Sequence, residues 1–127
     1  MELIGFRILR HTRQFDAMLR FYRDVLEMRC TQSWKHPGNV GALLTPGRAV
    51  GQATIELLDL KDRPYRKGKP ANVDLSLEVR DADAWQDRLR RQGVGIVDQL
   101  EDKPWGHRAF SIEDPDGMRI TLYQVIG

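Results

Sequence analysis

One cysteine, Cys30, is the whole thiol content of this 127-residue sequence. No disulfide can form within the chain, so packing alone must hold the fold, and such cysteine usage fits a reducing compartment. Long hydrophobic runs are missing as well. No stretch approaches the roughly 20 apolar residues that a membrane-spanning helix needs. The opening MELIGFRILRH has neither a long apolar run nor a small-residue cleavage site, so no signal peptide is expected. A cytoplasmic location without membrane contact is the expectation. A dominant charge is lacking too: 20 Lys and Arg against 18 Asp and Glu leave a net charge of +2. No basic stripe interleaves with aromatics, and the short Arg-rich segments fall where solvated helix faces belong, so a nucleic-acid partner is not expected. No nucleophile stands beside a base, which excludes a visible catalytic triad.

What remains is ordinary globular material. Apolar residues make up 41% and charged residues 30% of a chain long enough for one core and short for two ordinary domains. The most legible stretch is PWGHRAFSIEDPDGMRITLYQ, residues 104–124. From Gly106 to Ile112, Phe110 and Ile112 alternate with His107, Ala109 and Ser111. Asp114-Pro115-Asp116-Gly117 supplies turn chemistry. From Met118 to Tyr123, Ile120 and Leu122 alternate with Arg119, Thr121 and Tyr123. The stretch reads as a hairpin with one apolar and one polar face.

Upstream, Glu2 to Arg10 reads as a strand, with Thr12 as a helix N-cap. Phe15, Met18, Leu19, Tyr22, Val25 and Leu26 then recur at helical spacing, which predicts an amphipathic helix near 14–27. Arg29–Lys35, Val40–Thr45 and Gln52–Leu60 read as strands, with His36-Pro37-Gly38-Asn39 as a turn. The Pro- and Gly-rich KDRPYRKGKP reads as a linker, placed at 61–71. The order then begins again. Asn72–Val79 is a strand with Val73, Leu75, Leu77 and Val79 inward. Asp81 or Asp83 caps a helix that buries Ala82, Trp85 and Leu89 and stops at Gly93. Gly95–Gln99 is a strand, Leu100–Lys103 a loop, and the hairpin closes the chain. The halves share element order more than identities, with TIELL at 54–58 lying over RITLY at 119–123.

Three segments carry a family resemblance. FYRDVLEM at 21–28 is similar to a helix end commonly written FYxxVLGF. LSLEVRDADAW at 75–85 and the final hairpin resemble the second half of the same family. The chain thereby resembles the vicinal oxygen chelate superfamily of glyoxalase I, bleomycin-resistance proteins, fosfomycin-modifying enzymes and extradiol dioxygenases. The resemblance implies an α+β fold. Two βαβββ modules, about 2–60 and 72–125 of a single 1–127 domain, form curved mixed sheets around a cavity with the helices outside. It also implies a homodimer, with modules pairing either within one chain or across two.

Metal-using members of that family ligate through the first and last strands of each half. Those positions fall on Phe6 (or Gly5 or Arg7), Glu56, Asp74 and Thr121. This set is short of good ligands, so no metal and no cofactor are expected. His11 and His36 lie in predicted loops, and His107 reads as a hydrogen-bonded structural residue. The closest branch is then the bleomycin-resistance type, which binds small molecules without chemistry. Its candidate ligand-binding residues here are Trp34, Glu56, Asp74, Ser76, Trp105, His107, Arg119, Thr121 and Tyr123. The carboxylates and indoles suggest a cationic or aromatic small-molecule ligand. The alternative is a lyase, isomerase or dioxygenase with an atypical metal site, or with Glu56 or Asp74 as general base. A plain Glu56–Arg119 ion pair is the structural alternative.

Overall fold

Period-two and period-3.6 patterns alternate along the chain, and the folded elements follow them. The computed structural model describes residues 7–47, 54–60 and 73–127. They form two compact units, one from residues 7–47 and 54–60, the other from residues 73–127. The expected linker at 61–71 lies outside the described residues, as do Gly5, Phe6 and Asn72.

In the first unit β1 (Arg7–Thr12) leads to α1 (Phe15–Arg20), then β2 (Arg29–His36), β3 (Asn39–Thr45) and β4 (Thr54–Asp59). The sheet order is β1-β4-β3-β2, with β1 parallel to β4 and the other pairs antiparallel. Ala42, Leu44, Ile55 and Leu57 are buried with Met18, Tyr22 and Leu26 of the helical segment. Arg10 is buried with them, and its guanidinium donates to the Tyr22 hydroxyl at 3.2 Å.

The helix departs from expectation at both ends. Thr12 does not cap it: Gln14 is the N-cap residue, and the Thr12 hydroxyl accepts from the Gln14 N–H in the turn before it. After Arg20 the helix widens into a π turn, Phe21–Val25, with Leu26 N–H bonded to the Phe21 carbonyl. An inserted residue of this kind rotates later side chains about the axis. Phe21, the first residue of this turn and absent from the expected stripe, is buried edge-on against Tyr22 with ring centres 5.3 Å apart.

Glu27 ends the segment at φ 59, a left-handed conformation unfavourable for a residue with a Cβ. It stands where the FYxxVLGF pattern has glycine. Glu27→Gly relieves that cost and loses part of the gain to the entropy of the unfolded chain. The expected outcome in urea is a stability gain of up to about 1 kcal/mol at unchanged m-value; a destabilised variant would contradict it.

The second unit repeats the order: β5 (Leu75–Glu78), α2 (Ala82–Arg91), β6 (Asp98–Asp102), β7 (His107–Glu113) and β8 (Arg119–Val125). Its sheet order, β5-β8-β7-β6, is the counterpart of the first, again with the first and last strands parallel. These are the two expected βαβββ modules, with mixed sheets. β5 is shorter than the expected Asn72–Val79, and Val73 is exposed rather than inward. Asp81 caps α2, accepting from the Ala84 N–H at 3.0 Å. Gln124 satisfies a further free N–H, that of Ala82, from the end of β8.

Asp83, the other cap candidate, instead takes two 2.9 Å bonds from Arg108, which also binds Asp102. This clasp joins α2, β6 and β7. The Arg108 bonds hold the Asp83 carboxyl below its ordinary pKa. β6 lies about three residues beyond the expected Gly95–Gln99, so most of the predicted 100–103 loop is strand. It is an acidic edge strand with a bulge between Asp98 and Glu101, and it shows no apolar alternation for a sequence pattern to find.

The β7–β8 hairpin forms as the alternation requires, with Phe110, Ile112, Ile120 and Leu122 buried. Asp114, only 4% exposed, closes it: one carboxylate oxygen accepts from the N–H groups of Asp116 and Met118 at 2.9 Å. Asp114→Ala strips a partner from buried donors, so a loss of about 1–3 kcal/mol is expected in chemical denaturation. Asp114→Asn keeps an acceptor oxygen and should recover much of it; equal losses in both variants would show that the bonds are not the cause.

Candidate functional site

β7 and β8 pair Ala109 with Tyr123, Ser111 with Thr121, and His107 with Val125. Those residues therefore share the sheet face opposite the one that carries Phe110 and Leu122. Ser76 joins them from β5, directly beside Thr121. The Ser111 and Thr121 hydroxyls meet at 2.9 Å. His107 stacks on Tyr123, with ring centres 4.3 Å apart and planes 15° from parallel. Trp105 meets the His107 edge at 6.5 Å. The sequence reading made His107 a hydrogen-bonded structural residue, whereas its imidazole is the middle of an aromatic ladder. Trp105 sits in the turn before β7, closed by the Gly106 N–H to the Lys103 carbonyl, and is 65% exposed.

Ser76, Trp105, His107, Ser111 and Thr121, with Asp74, Asp98 and Arg119, border a cavity of about 380 Å³. Arg119 lies between the two aspartates, 3.9 Å from Asp74 and in direct contact with Asp98. The buried Asp98 oxygen has no aligned hydrogen bond, so it is held there by charge. Asp98 was not anticipated as a site residue, although it lies within the expected strand Gly95–Gln99, because its pairing with Ser111 depends on register. Its acidic neighbours in DQLED were the available signal.

In the first unit, Glu56 accepts from Arg7 at 3.2 Å. Glu56 and Arg119 each have ion-pair partners within their own unit. Trp34 lies on the same sheet face as Leu43 and Glu56. Its indole N–H donates to Asn39 at 2.8 Å, and its ring lies over Gly41, where an added Cβ would fall 2.3 Å from a ring carbon. Gly41 is therefore what lets Trp34 lie flat, a role invisible without the β2–β3 register. Trp34, Arg7, Gln32 and Leu43 border a shallow depression, also of about 380 Å³. A larger hollow of about 660 Å³ between α1 and the β2–β3 hairpin has Arg13, Asp16, Lys35 and Asp59 on its rim. It gathers charges of both signs, and Trp34 alone of the candidate residues reaches it.

Register also tests the metal positions. Leu9 pairs with Glu56 as Ser76 pairs with Thr121. Two residues earlier on each first strand stand Arg7 and Asp74, so Arg7 is the counterpart of Asp74. Arg7 bonds Glu56, while Arg119 lies beside Asp74. Thr121 is engaged by Ser111. Among the described residues no three His, Cys, Asp or Glu side chains gather closely enough to hold a metal ion. Among the described residues at these positions, the carboxylates Glu56 and Asp74 are the possible metal ligands, and Thr121 is a weak one.

The family model of the Glyoxalase/Bleomycin resistance protein/Dioxygenase superfamily matches residues 6–122. A search of curated proteins finds no match. Among solved structures, a superfamily member from Sphaerobacter thermophilus DSM 20745 is 24% identical at a TM-score of 0.77, over 97% of this chain and 98% of that one. TnmS3, an antibiotic binding protein from Streptomyces sp. CB03234, is 25% identical at 0.74, over 98% and 99%. The trypanothione-dependent glyoxalase I of Leishmania major is 21% identical at 0.76, over 97% and 87%. With the doubled module order and a match over nearly its whole length, this chain belongs to the Glyoxalase/Bleomycin resistance protein/Dioxygenase superfamily.

Proposed function

We propose that this protein binds a small, planar aromatic molecule on the second module's sheet face, without metal and without chemical turnover. The observation that carries the reading is the Trp105–His107–Tyr123 ladder beside the 380 Å³ cavity. An indole that is 65% exposed yet set against a fixed imidazole offers a flat surface for a second ring. The likeness to an antibiotic binding protein supports sequestration of such a molecule. Of the two ligand chemistries suggested by composition, the aromatic one is favoured over the cationic. Asp74 and Asp98 already face Arg119, and Glu56 already faces Arg7, so these carboxylates have cations of their own. The same pairings leave neither Glu56 nor Asp74 free-standing as a general base.

A thermal-shift screen of small aromatic compounds, followed by calorimetric titration of the hits, tests the reading. Trp105→Ala should weaken binding about tenfold, or about 1.4 kcal/mol, with little change in melting temperature. Hits that bind the variant as tightly as the parent protein would refute it.

A cytoplasmic homodimer belongs to the same proposal. Leu9 and Val125, each about half exposed, lie on the sheet faces that also carry Glu56 and His107. Apolar residues in such positions favour cover by a second copy. Light scattering at micromolar concentration should give twice the 14.7 kDa chain mass; a monomer would count against the dimer.

A further inference from the structure

Hydrogen-bond counting at the floor of the second-module cavity leaves one proton over. Ser111 and Thr121 carry one hydroxyl proton each, and their 2.9 Å contact uses only one of the two, whichever oxygen donates. Neither side chain has another partner among the described residues. Ser111 is 2% exposed, and both residues border the cavity. Ser76, beside Thr121 on β5, adds a third hydroxyl with no partner among the described residues.

The spare proton belongs to a hydroxyl that borders the cavity, so an acceptor on a ligand there can take it. The carboxylates at the same cavity do not take the proton, because they are turned to Arg119.

We propose that this spare hydroxyl proton selects the ligand: it donates to an acceptor oxygen, carbonyl or phenolate, on the rim of a planar aromatic ring system lying along the Trp105–His107 face. The inference rests on the small-molecule reading given above and narrows its ligand class. An aromatic N–H donor at that point can be accepted by a hydroxyl lone pair but leaves the spare proton unused. A bare hydrocarbon leaves the proton unused.

Three tricyclic probes of nearly one shape separate these cases: fluorenone with a carbonyl oxygen, fluorene with a methylene, and carbazole with an N–H at the same ring position. Titrated against the intact protein, fluorenone should bind at least about tenfold tighter than fluorene or carbazole. The Ser111→Ala/Thr121→Val double variant removes both partners of the hydroxyl pair together, which is the mildest way to delete such a bond. In it the fluorenone preference over fluorene should fall to near unity, a change in ranking that lost stability alone would not produce. Binding of all three probes with equal affinity, tighter binding of carbazole, or a preference that survives in the double variant overturns the hydroxyl readout and leaves the aromatic pocket standing. Binding of none of the three overturns the pocket itself. If the double variant does not fold, the ranking of the three probes on the parent protein decides alone.

Discussion

The period-two alternation of the β7–β8 hairpin is the constraint on which the second module depends. Asp114 holds the turn, and the turn holds the register. A slip of one residue would send Ile112, Ile120 and Leu122 to the polar face and bring Ser111, Thr121 and Tyr123 into the core. The core stripe and the candidate site are therefore two readings of one register. A single buried carboxylate, accepting two backbone N–H bonds, keeps both in place. The same economy operates at α2, whose first turn is satisfied by Asp81 from within and by Gln124 from the end of the strand that carries Thr121.

Charge on the two sheet faces is arranged in pairs, and this decides what the faces can do. Each carboxylate expected to attract a metal or a cationic ligand has a guanidinium beside it: Arg7 for Glu56, and Arg119 for Asp74 and Asp98. An arginine cannot lose its proton to make room for a metal, and Arg7 holds one Glu56 oxygen in a hydrogen bond. What is left to recognise a ligand is less polar: stacked rings, an exposed indole and hydroxyl groups. Superfamily membership covers enzymes and binding proteins alike, so the residues of the site rather than the fold carry the functional proposal.

The departures from the periodic reading have separate physical causes. Phe21 was missed because it lies at the margin of the 3.6-residue stripe, and it is buried by packing edge-on against Tyr22. β6 was misplaced because an edge strand with three acidic residues has no buried stripe to alternate. Thr12 has the chemistry of an N-cap, yet its hydroxyl serves the Gln14 N–H, since the chain turns before the helix begins. In each case the residue type allowed two local outcomes, and the packing around it chose one.

By itself the sequence determined the class of fold, the doubled order of strands and helices, the hairpin with its Asp-Pro-Asp-Gly turn, and the faces to which most strand residues point. Those features depend on periodicity and backbone chemistry, which are local and repeat along the chain. It also determined which side chains were available to a site, Trp105, His107, Ser111 and Thr121 among them. Only the tertiary structure decided how they are used: that His107 stacks on Tyr123, that Trp34 needs Gly41 beneath it, that Arg7 and Arg119 lie beside the acidic residues, and that Ser111 and Thr121 share one bond between two protons. Every one of these is a contact between residues on different strands or across a turn. Such contacts depend on strand pairing and register, which no single segment encodes.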